Sequence, residues 1–408
     1  MTLDELRVFL EARLRNDIVP FWLKHAIDRE RGGIFSCIRD DGTIVSRDKY
    51  IWSQARGLWT FSALYNRIEP REEWLDVAHG LFRFLKQFGR DENGCWVFTT
   101  DEFGKVIQGE DSIVTDAFAI MGLTEYATAT GNDEAKRIAQ ETYGSVCERL
   151  ARPGTYKTAP YPTPPGMKAH RERMQFSLAF YFLGKVLGDE VIREHGMRLG
   201  REVLDHFVRW DRQVLLEYLD MDSQPQDSPA GRCMVPGHGI ESCYFQILIF
   251  SDAGQLDQVQ RACEPIRWCL EKGWDAKHGG LFLGIDVEGR QPAYWRHADL
   301  KLWWPHAEAL AACLLAYEQC RESWCLDWYW KVHEWSFRHF PDREHGEWTQ
   351  RLDRQGNKVD TLVALPVKDP FHLPRALIVA IQSLRRVTPM LENEATAPST
   401  SPPPRSPG

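Results

Sequence analysis

Two kinds of helical segment alternate along most of this chain. Residues 112–129 and 241–253 are apolar on nearly all sides, whereas residues 134–149 and 189–207 concentrate their charges on one face. The first kind is typical of a helix buried in an inner ring, and the second of a helix with a solvent-facing side. The apolar segments start near residues 52, 112, 174, 237, 301 and 371, and this spacing of 60–70 residues indicates a repeat architecture.

Short segments that combine glycine with an aromatic residue precede the apolar helices. Alternating residues around their turns predict two-stranded β-ribbons. Two further ribbons, at residues 154–156 and 216–218, are degenerate. Six helical hairpins that close on themselves form an (α/α)6 barrel, an all-α fold with short β-ribbons at one mouth, and a pocket at that mouth is the default site. The four clear ribbons pair a first glycine with a turn glycine: Gly33 with Gly42, Gly94 with Gly104, Gly280 with Gly289, and Gly346 with Gly356.

Composition changes this interpretation only at the end of the chain. Nothing divides the repeats, so residues 1–387 are expected to form one barrel domain, followed by a disordered Pro/Ser-rich tail over residues 388–408. A net charge of −8 argues against nucleic acid or an anionic membrane surface as a partner. No apolar run approaches the roughly 20 residues that span a bilayer. A cytoplasmic protein is expected, and its ten scattered cysteines are predicted to be reduced.

Two histidines stand at matching points of the repeat. His238 opens the fourth inner helix and His372 opens the sixth, so only one helix separates them in a six-membered ring. Each has a charged residue three positions further on, Glu241 and Arg375, which shares its helix face. The pairing predicts two imidazoles that face one substrate, although a histidine that merely caps a helix start is a common structural outcome.

Other polar residues interrupt the apolar helices at a similar depth. Arg56 and Asp116 lie in the first and second inner helices, and each is interpreted either as a group at the mouth or as half of a buried ion pair. In the fifth helix, Trp304 and Glu308 share a face and together suit a sugar ring, unless Glu308 simply holds a neighbouring His or Arg. The candidate substrate contacts are Trp52, Asp116, Trp303, Trp304 and Arg375.

These residues suit proton abstraction next to a carbonyl group. Histidine titrates near neutral pH, so one imidazole can take a proton while the other, protonated, returns it. Arg56 is placed to stabilise the oxygen of an enediolate, with Glu241 and Glu308 as further catalytic candidates. No His, Cys or carboxylate cluster has the spacing of metal ligands, so no metal is expected. An inverting glycoside hydrolase that uses two carboxylates, and a non-enzymatic carbohydrate binder, remain alternatives.

Four motifs in this chain, taken in order, resemble the N-acylglucosamine 2-epimerase family. They are residues 51–59, 236–241, 301–308 and 371–375, and the likeness extends over essentially residues 1–387. The resemblance implies an (α/α)6 barrel that interconverts N-acetylglucosamine and N-acetylmannosamine. It implies that Arg56 is the catalytic arginine and that His238 and His372 are the acid/base pair. It also implies that Glu308 and Arg375 are supporting residues.

The resemblance also sets expectations about substrates, cofactors and assembly. The same superfamily includes cellobiose and mannose 2-epimerases and aldose-ketose isomerases. Residues 365–370 depart from the Lys-Gly-Gly stretch usual in acetamido-sugar enzymes, and this loop is expected to border the substrate. No cofactor is required, while ATP is implied as an allosteric activator, with residues 154–158 either contacting it or forming an ordinary loop. A homodimer is the expected assembly.

Overall fold

The structure is a computed structural model that describes residues 1–152 and 154–396, with the side chains of the last helix through residue 390. Within these residues, two π-helical turns, Leu14–Ile18 and Val203–Phe207, adjoin helices of the outer ring. The helices are α1 (Leu3–Arg13), α2 (Val19–His25), α3 (Ile51–Arg67), α4 (Glu72–Phe88), α5 (Ile113–Thr130), α6 (Asp133–Leu150), α7 (His170–Leu187), α8 (Glu190–Glu202), α9 (Pro236–Asp252), α10 (Leu256–Gly273), α11 (Trp303–Cys320), α12 (Ser323–His339) and α13 (His372–Thr396).

The helices form two concentric rings. The odd-numbered helices from α3 to α13 form the inner ring, and each packs against the next, with α13 packing against α3 to close it. Helix α5 is buried without interruption from Ile113 to Ala127, as an inner position requires. Helix α4 buries only one face and exposes the other. The predicted (α/α)6 barrel is therefore confirmed.

The inner helices begin close to their predicted starts, with one informative shift. The third helix was predicted near residue 174 but begins at His170. Its first turn, residues 170–173, reads His-Arg-Glu-Arg, and all of these side chains except that of Arg173 are buried. An apolar pattern cannot reveal a helical turn whose buried side chains are polar, so the sequence showed this helix only from Met174 onward.

The strands lie together at one mouth, but only some pair as predicted. The ribbons around Gly42 and Gly104 form within their own hairpins, as β1 with β2 and β4 with β5. Those around Gly289 and Gly356 instead pair with the strand before an inner helix, as β10 with β11 and β12 with β13. Alternation predicts a strand without naming its partner. The strands are β1 (Cys37–Ile38), β2 (Ile44–Ser46), β3 (Lys49–Tyr50), β4 (Thr99–Thr100), β5 (Val106–Gln108), β6 (Met167–Ala169), β7 (Val208–Arg209), β8 (Val214–Leu215), β9 (Tyr218–Asp220), β10 (Cys233–Met234), β11 (Ile285–Asp286), β12 (Lys301–Leu302) and β13 (Arg351–Leu352).

The last helix continues past the domain boundary placed after residue 387. Helix α13 runs to Thr396 and includes Pro389. The tail expected over residues 388–408 thus begins within a helix, and residues 397–408 lie outside the described residues. All ten cysteines are free thiols. Among the described residues, no helix has both the length and the apolar content needed to cross a membrane.

Buried neutral histidines make the barrel sensitive to acid. In His306, Nε2 accepts from the Leu281 N–H at 2.8 Å and Nδ1 lies 2.7 Å from the Leu302 carbonyl oxygen, so the ring fits only as the neutral tautomer. Burial lowers the pKa of His306 to about 3 and that of His333 to about 4. Below pH 6.5, the ordinary pKa of histidine, the unfolded chain therefore binds protons at these two residues, whereas the folded chain keeps them neutral.

We expect the free energy of unfolding to fall as the pH drops below about 6.5. At pH 5 the loss amounts to about 2 kcal/mol for a fully buried histidine such as His306. Urea titrations at pH 7.5 and pH 5 measure the difference, and the His333→Phe variant is expected to lose less stability between these two pH values. Equal acid sensitivity in this variant and the wild type would contradict the assignment.

Candidate active site

A cavity at the ribbon mouth collects residues from all six inner helices. It encloses about 1010 Å³ including its opening to solvent, which is ample for a sugar. Of the ten predicted site residues, seven line this cavity: Trp52, Arg56, His238, Glu241, Trp303, Trp304 and His372.

His372 is held from behind by a buried carboxylate. Its Nδ1 lies 2.6 Å from Glu308 Oε1, and because a carboxylate only accepts, Nδ1 carries the proton. Tyr244 donates to the other Glu308 oxygen at 2.7 Å, and Arg375 donates to Oε1 at 2.6 Å. Burial raises the pKa of Glu308 while Arg375 acts in the opposite direction, and three donors favour the ionised form. This geometry leaves Nε2 of His372 available to a substrate.

The environment of His372 favours its neutral form. Burial, together with the positive charge of Arg56, lowers the pKa of His372 well below its usual value. A neutral imidazole whose Nδ1 donates to a carboxylate has a lone pair on Nε2. His372 is therefore equipped to accept a proton at neutral pH.

His238 has a matching carboxylate on the other side of the cavity. Its Nδ1 lies 3.1 Å from Oε2 of Glu217, a fully buried residue just before β9. His170 shares this oxygen, with its Nδ1 at 3.4 Å. Burial acts to raise the pKa of Glu217, but the two imidazoles outweigh it and hold the pKa below its usual value. Glu217 is thus a carboxylate that fixes Nδ1–H on His238 and leaves Nε2 free for chemistry.

Removing the charge of Glu217 is expected to slow turnover without abolishing it. In Glu217→Gln the amide oxygen can still accept from His238, but the negative charge that favours an imidazolium disappears. We expect kcat to fall by about one to two orders of magnitude, less than for loss of the base itself. Steady-state kinetics on Glu217→Gln and the charge-retaining Glu217→Asp measure the effect. Wild-type turnover in Glu217→Gln would show that the carboxylate has no part in the reaction.

One indole lies against both histidines. The ring centroid of Trp304 is 5.1 Å from that of His238 and 5.5 Å from that of His372. A side chain at Gly237 would meet carbon atoms of this indole at 2.5 and 2.7 Å, so glycine at this position permits the close approach. Trp304 therefore sets the positions of the two imidazoles relative to each other and provides a flat apolar surface beside them.

Arg56 places a positive charge at the same cavity. Its Nη1 lies 3.2 Å from Asp369 Oδ2, and Ser53 donates to that oxygen at 2.9 Å. Aromatic rings surround the guanidinium, with its central carbon 4.1 Å from the Phe118 ring centroid and 4.5 Å from that of Trp52. Burial lowers the pKa of Arg56, yet a guanidinium remains charged at any physiological pH. The site therefore holds a fixed cation in a largely apolar environment, where electrostatic interactions are strong.

The remaining three predicted residues do not line the cavity. Arg375 lies behind it and pairs with both Glu241 and Glu308, so it positions these carboxylates; Glu308 in turn holds His372. Asp116 pairs with Arg149 of the outer ring, so of its two predicted roles the structure shows the buried ion pair. Burial raises the pKa of Asp116 to about 7. Neither Asp116 nor Arg375 is therefore placed to contact a sugar in the cavity.

The fold also brings together three potential metal ligands that sequence spacing did not show. Donor atoms of Glu241, Glu308 and His372 lie within 4.8 Å of one another, although the residues belong to three different helices. The Arg375 guanidinium, however, already bonds to both carboxylates. A cation at this position would have to compete with an arginine, so the donor set fits an ion-pair network better than a metal site.

Sequence reasoning missed two carboxylates. Glu217 lies in the degenerate ribbon at residues 216–218, between buried Leu216 and Tyr218. An isolated acidic residue among apolar neighbours was the one feature of the sequence that could have indicated a functional role. Asp369 lies in the divergent loop at residues 365–370. Leu365, Val367 and Asp369 line the cavity, as expected for a loop that borders the substrate.

Comparisons with known proteins identify the family of this chain. A family model described as N-acylglucosamine 2-epimerase (GlcNAc 2-epimerase) matches residues 33–376. An N-acylglucosamine 2-epimerase of Bos taurus is 31% identical over 97% of this chain and 95% of its own. A cellobiose 2-epimerase of Dictyoglomus turgidum is 32% identical over 94% of this chain and 100% of its own.

A solved structure shares the same architecture. The cellobiose 2-epimerase from Spirochaeta thermophila has a TM-score of 0.80 at 23% identity, covering 95% of this chain and 98% of that one. This likeness bears on the fold alone, whereas the family model and the bovine relative extend over most of the chain. The chain is therefore an epimerase and belongs to the N-acylglucosamine 2-epimerase family.

Proposed function

We propose that this enzyme interconverts N-acetylglucosamine and N-acetylmannosamine through two histidines, one of which removes the proton at C2 while the other delivers a new proton. The observation that carries the proposal is the matched pair of imidazoles at one cavity. In each, Nδ1 faces a buried carboxylate, Glu217 for His238 and Glu308 for His372. The names of the mammalian relatives support the substrate.

The reaction follows from the positions of these groups. With the open-chain sugar bound, one neutral histidine removes the C2 proton, and the electrons move onto the C1 carbonyl oxygen to give an enediolate. Arg56 stabilises the negative oxygen. The other histidine, as an imidazolium, delivers a proton to the opposite face of C2, which restores the carbonyl and inverts the configuration. One C–H bond breaks and one forms, so the step needs no oxidant.

The hydrolase alternative is not favoured by the carboxylates. An inverting hydrolase needs a free acid and a free base separated by water. Here Glu241 and Glu308 both pair with Arg375, and Asp116 pairs with Arg149 outside the cavity. The two histidines would have no shared purpose in such an enzyme.

A second substrate class follows from the cellobiose 2-epimerase relatives and the divergent loop. Because residues of this loop line the cavity, mannose or a β-1,4-linked disaccharide is the alternative substrate. We also propose that ATP acts as an allosteric activator and not as a reactant. The proposed assembly is a homodimer, and the free thiols of all ten cysteines agree with a cytoplasmic location.

The substrate is tested by comparing kcat/KM for N-acetylmannosamine, mannose and cellobiose. We expect N-acetylmannosamine to have the highest value, because this ratio measures differential binding of the transition state. An advantage of more than about tenfold for mannose or cellobiose, roughly 1.4 kcal/mol, would overturn the substrate and leave the mechanism intact. Cleavage of a glycoside without epimerisation would overturn both.

A further inference from the structure

The cavity wall formed by α7 has two polar groups that the mechanism does not use. Arg171 and Gln175 lie one helical turn apart, so their side chains share a face, and both line the cavity. Each is only 6% exposed. Within the part of the chain that the structure describes, Arg171 Nη1 and Gln175 Oε1 have no hydrogen-bond partner. An unpaired buried polar atom destabilises the fold, so this pair needs an explanation.

The arginine is fixed in place through its other terminal nitrogen. Its Nη2 donates to the carbonyl oxygen of Tyr161 and lies 3.3 Å from Thr163 Oγ1. Tyr161 in turn stacks on Trp295, with ring centroids 4.4 Å apart. The loop that holds Nη2 is thus itself packed, which leaves Nη1 as a positioned donor.

The two free atoms are complementary to an amide. A secondary amide presents one carbonyl oxygen, which accepts, and one N–H, which donates. Arg171 Nη1 supplies a donor and Gln175 Oε1 an acceptor. Met174, on the same helix, also lines the cavity and offers an apolar surface to an acyl methyl group. Helix α7 is the inner-ring neighbour of α9, which carries His238.

We propose that Arg171 and Gln175 bind the acylamino group at C2 and determine the preference for N-acyl sugars over sugars with a C2 hydroxyl. This assignment rests on the proposed epimerase function and adds the residues that select its substrate. Arg171 donates to the acyl oxygen, and Gln175 accepts from the amide N–H. Neither residue takes part in proton transfer.

The test compares two substrates that differ only in the C2 substituent. In Gln175→Leu and Arg171→Met, we expect kcat/KM for N-acetylmannosamine to fall at least about tenfold relative to kcat/KM for mannose, because a site built to hydrogen-bond a group loses discrimination when its partner is removed. Gln87→Leu, an exposed position on α4, makes the same change away from the site and should leave the ratio unchanged.

A binding measurement keeps the test independent of turnover. Calorimetry with N-acetylglucosaminitol and glucitol, which lack the carbonyl, should show that the wild type prefers the acetamido alditol and that both variants lose this preference. Equal losses on both substrates, or an unchanged ratio in folded variants, would overturn the assignment while the epimerase function stands. A wild-type enzyme inactive on N-acetylmannosamine would overturn the proposed function as well, so the two failures are distinguishable.

Discussion

Asparagine in place of His238 or His372 is expected to reduce epimerisation by about two to four orders of magnitude, the usual scale for loss of a general acid or base. Asparagine retains a polar group of similar reach but cannot accept a proton at neutral pH. Each histidine serves one face of C2, so a single variant is expected to exchange the C2 proton of one epimer with solvent without forming the other.

The measurement is the rate of conversion of each epimer, together with the rate of C2 exchange in heavy water. His345→Asn is a matched control, because His345 is exposed and contacts Asp342 in a surface turn. Near-normal conversion in either active-site variant would remove the two-base mechanism. Loss of activity in the His345 variant would instead indicate a general effect of the substitution.

The second large effect is expected at Glu308, which joins three buried groups of the site. Its carboxylate accepts from His372, Tyr244 and Arg375. In Glu308→Gln, the amide oxygen can still accept from His372 and Arg375, but the negative charge that stabilises an imidazolium at His372 disappears. Changing the carboxylate behind a catalytic histidine to an amide costs up to about four orders of magnitude in kcat in comparable arrangements.

Stability should fall together with activity in this variant. Removing the charge leaves Arg375 buried with Glu241 as its one charged partner among the described residues, and breaking a buried ion pair costs about 3–5 kcal/mol. Glu334→Gln is the matched control, because it makes the same change at an exposed position of α12 in the outer ring. We expect it to change stability by less than about 1 kcal/mol. Wild-type kcat in Glu308→Gln would contradict the assigned role of this carboxylate.

The repeat made the barrel predictable from sequence, whereas the contacts between side chains of different elements were not. Apolar periodicity located the inner helices and placed His238 and His372 near one mouth, because both open an inner helix. It could not pair His238 with Glu217, since an alternating ribbon does not specify which side chain of the following helix it contacts. Nor could it pair Arg56 with Asp369, which the chain brings together only when the ring closes.

Buried charge was the other limit of the sequence. Arg375 and Asp116 are charged residues at helix positions that resemble the mouth positions in pattern, and both prove to be ion-pair partners beneath or beside the cavity. A pattern of apolar residues specifies which face of a helix is buried, but not the depth at which a polar residue stops facing the cavity and starts facing a neighbouring helix. Only the packed structure separates these cases.

The central claim is that one base removes the C2 proton and a second base delivers a new one, and the isotope content of the first product tests this claim most directly. N-acetylmannosamine with an ordinary C2 proton is incubated in heavy water, and the N-acetylglucosamine formed in the earliest turnovers is examined by proton NMR. The account predicts essentially complete deuterium at C2 of this product, because the imidazolium that delivers to C2 carries a deuteron taken from the heavy water. A product that retains the substrate's own C2 proton would contradict the account.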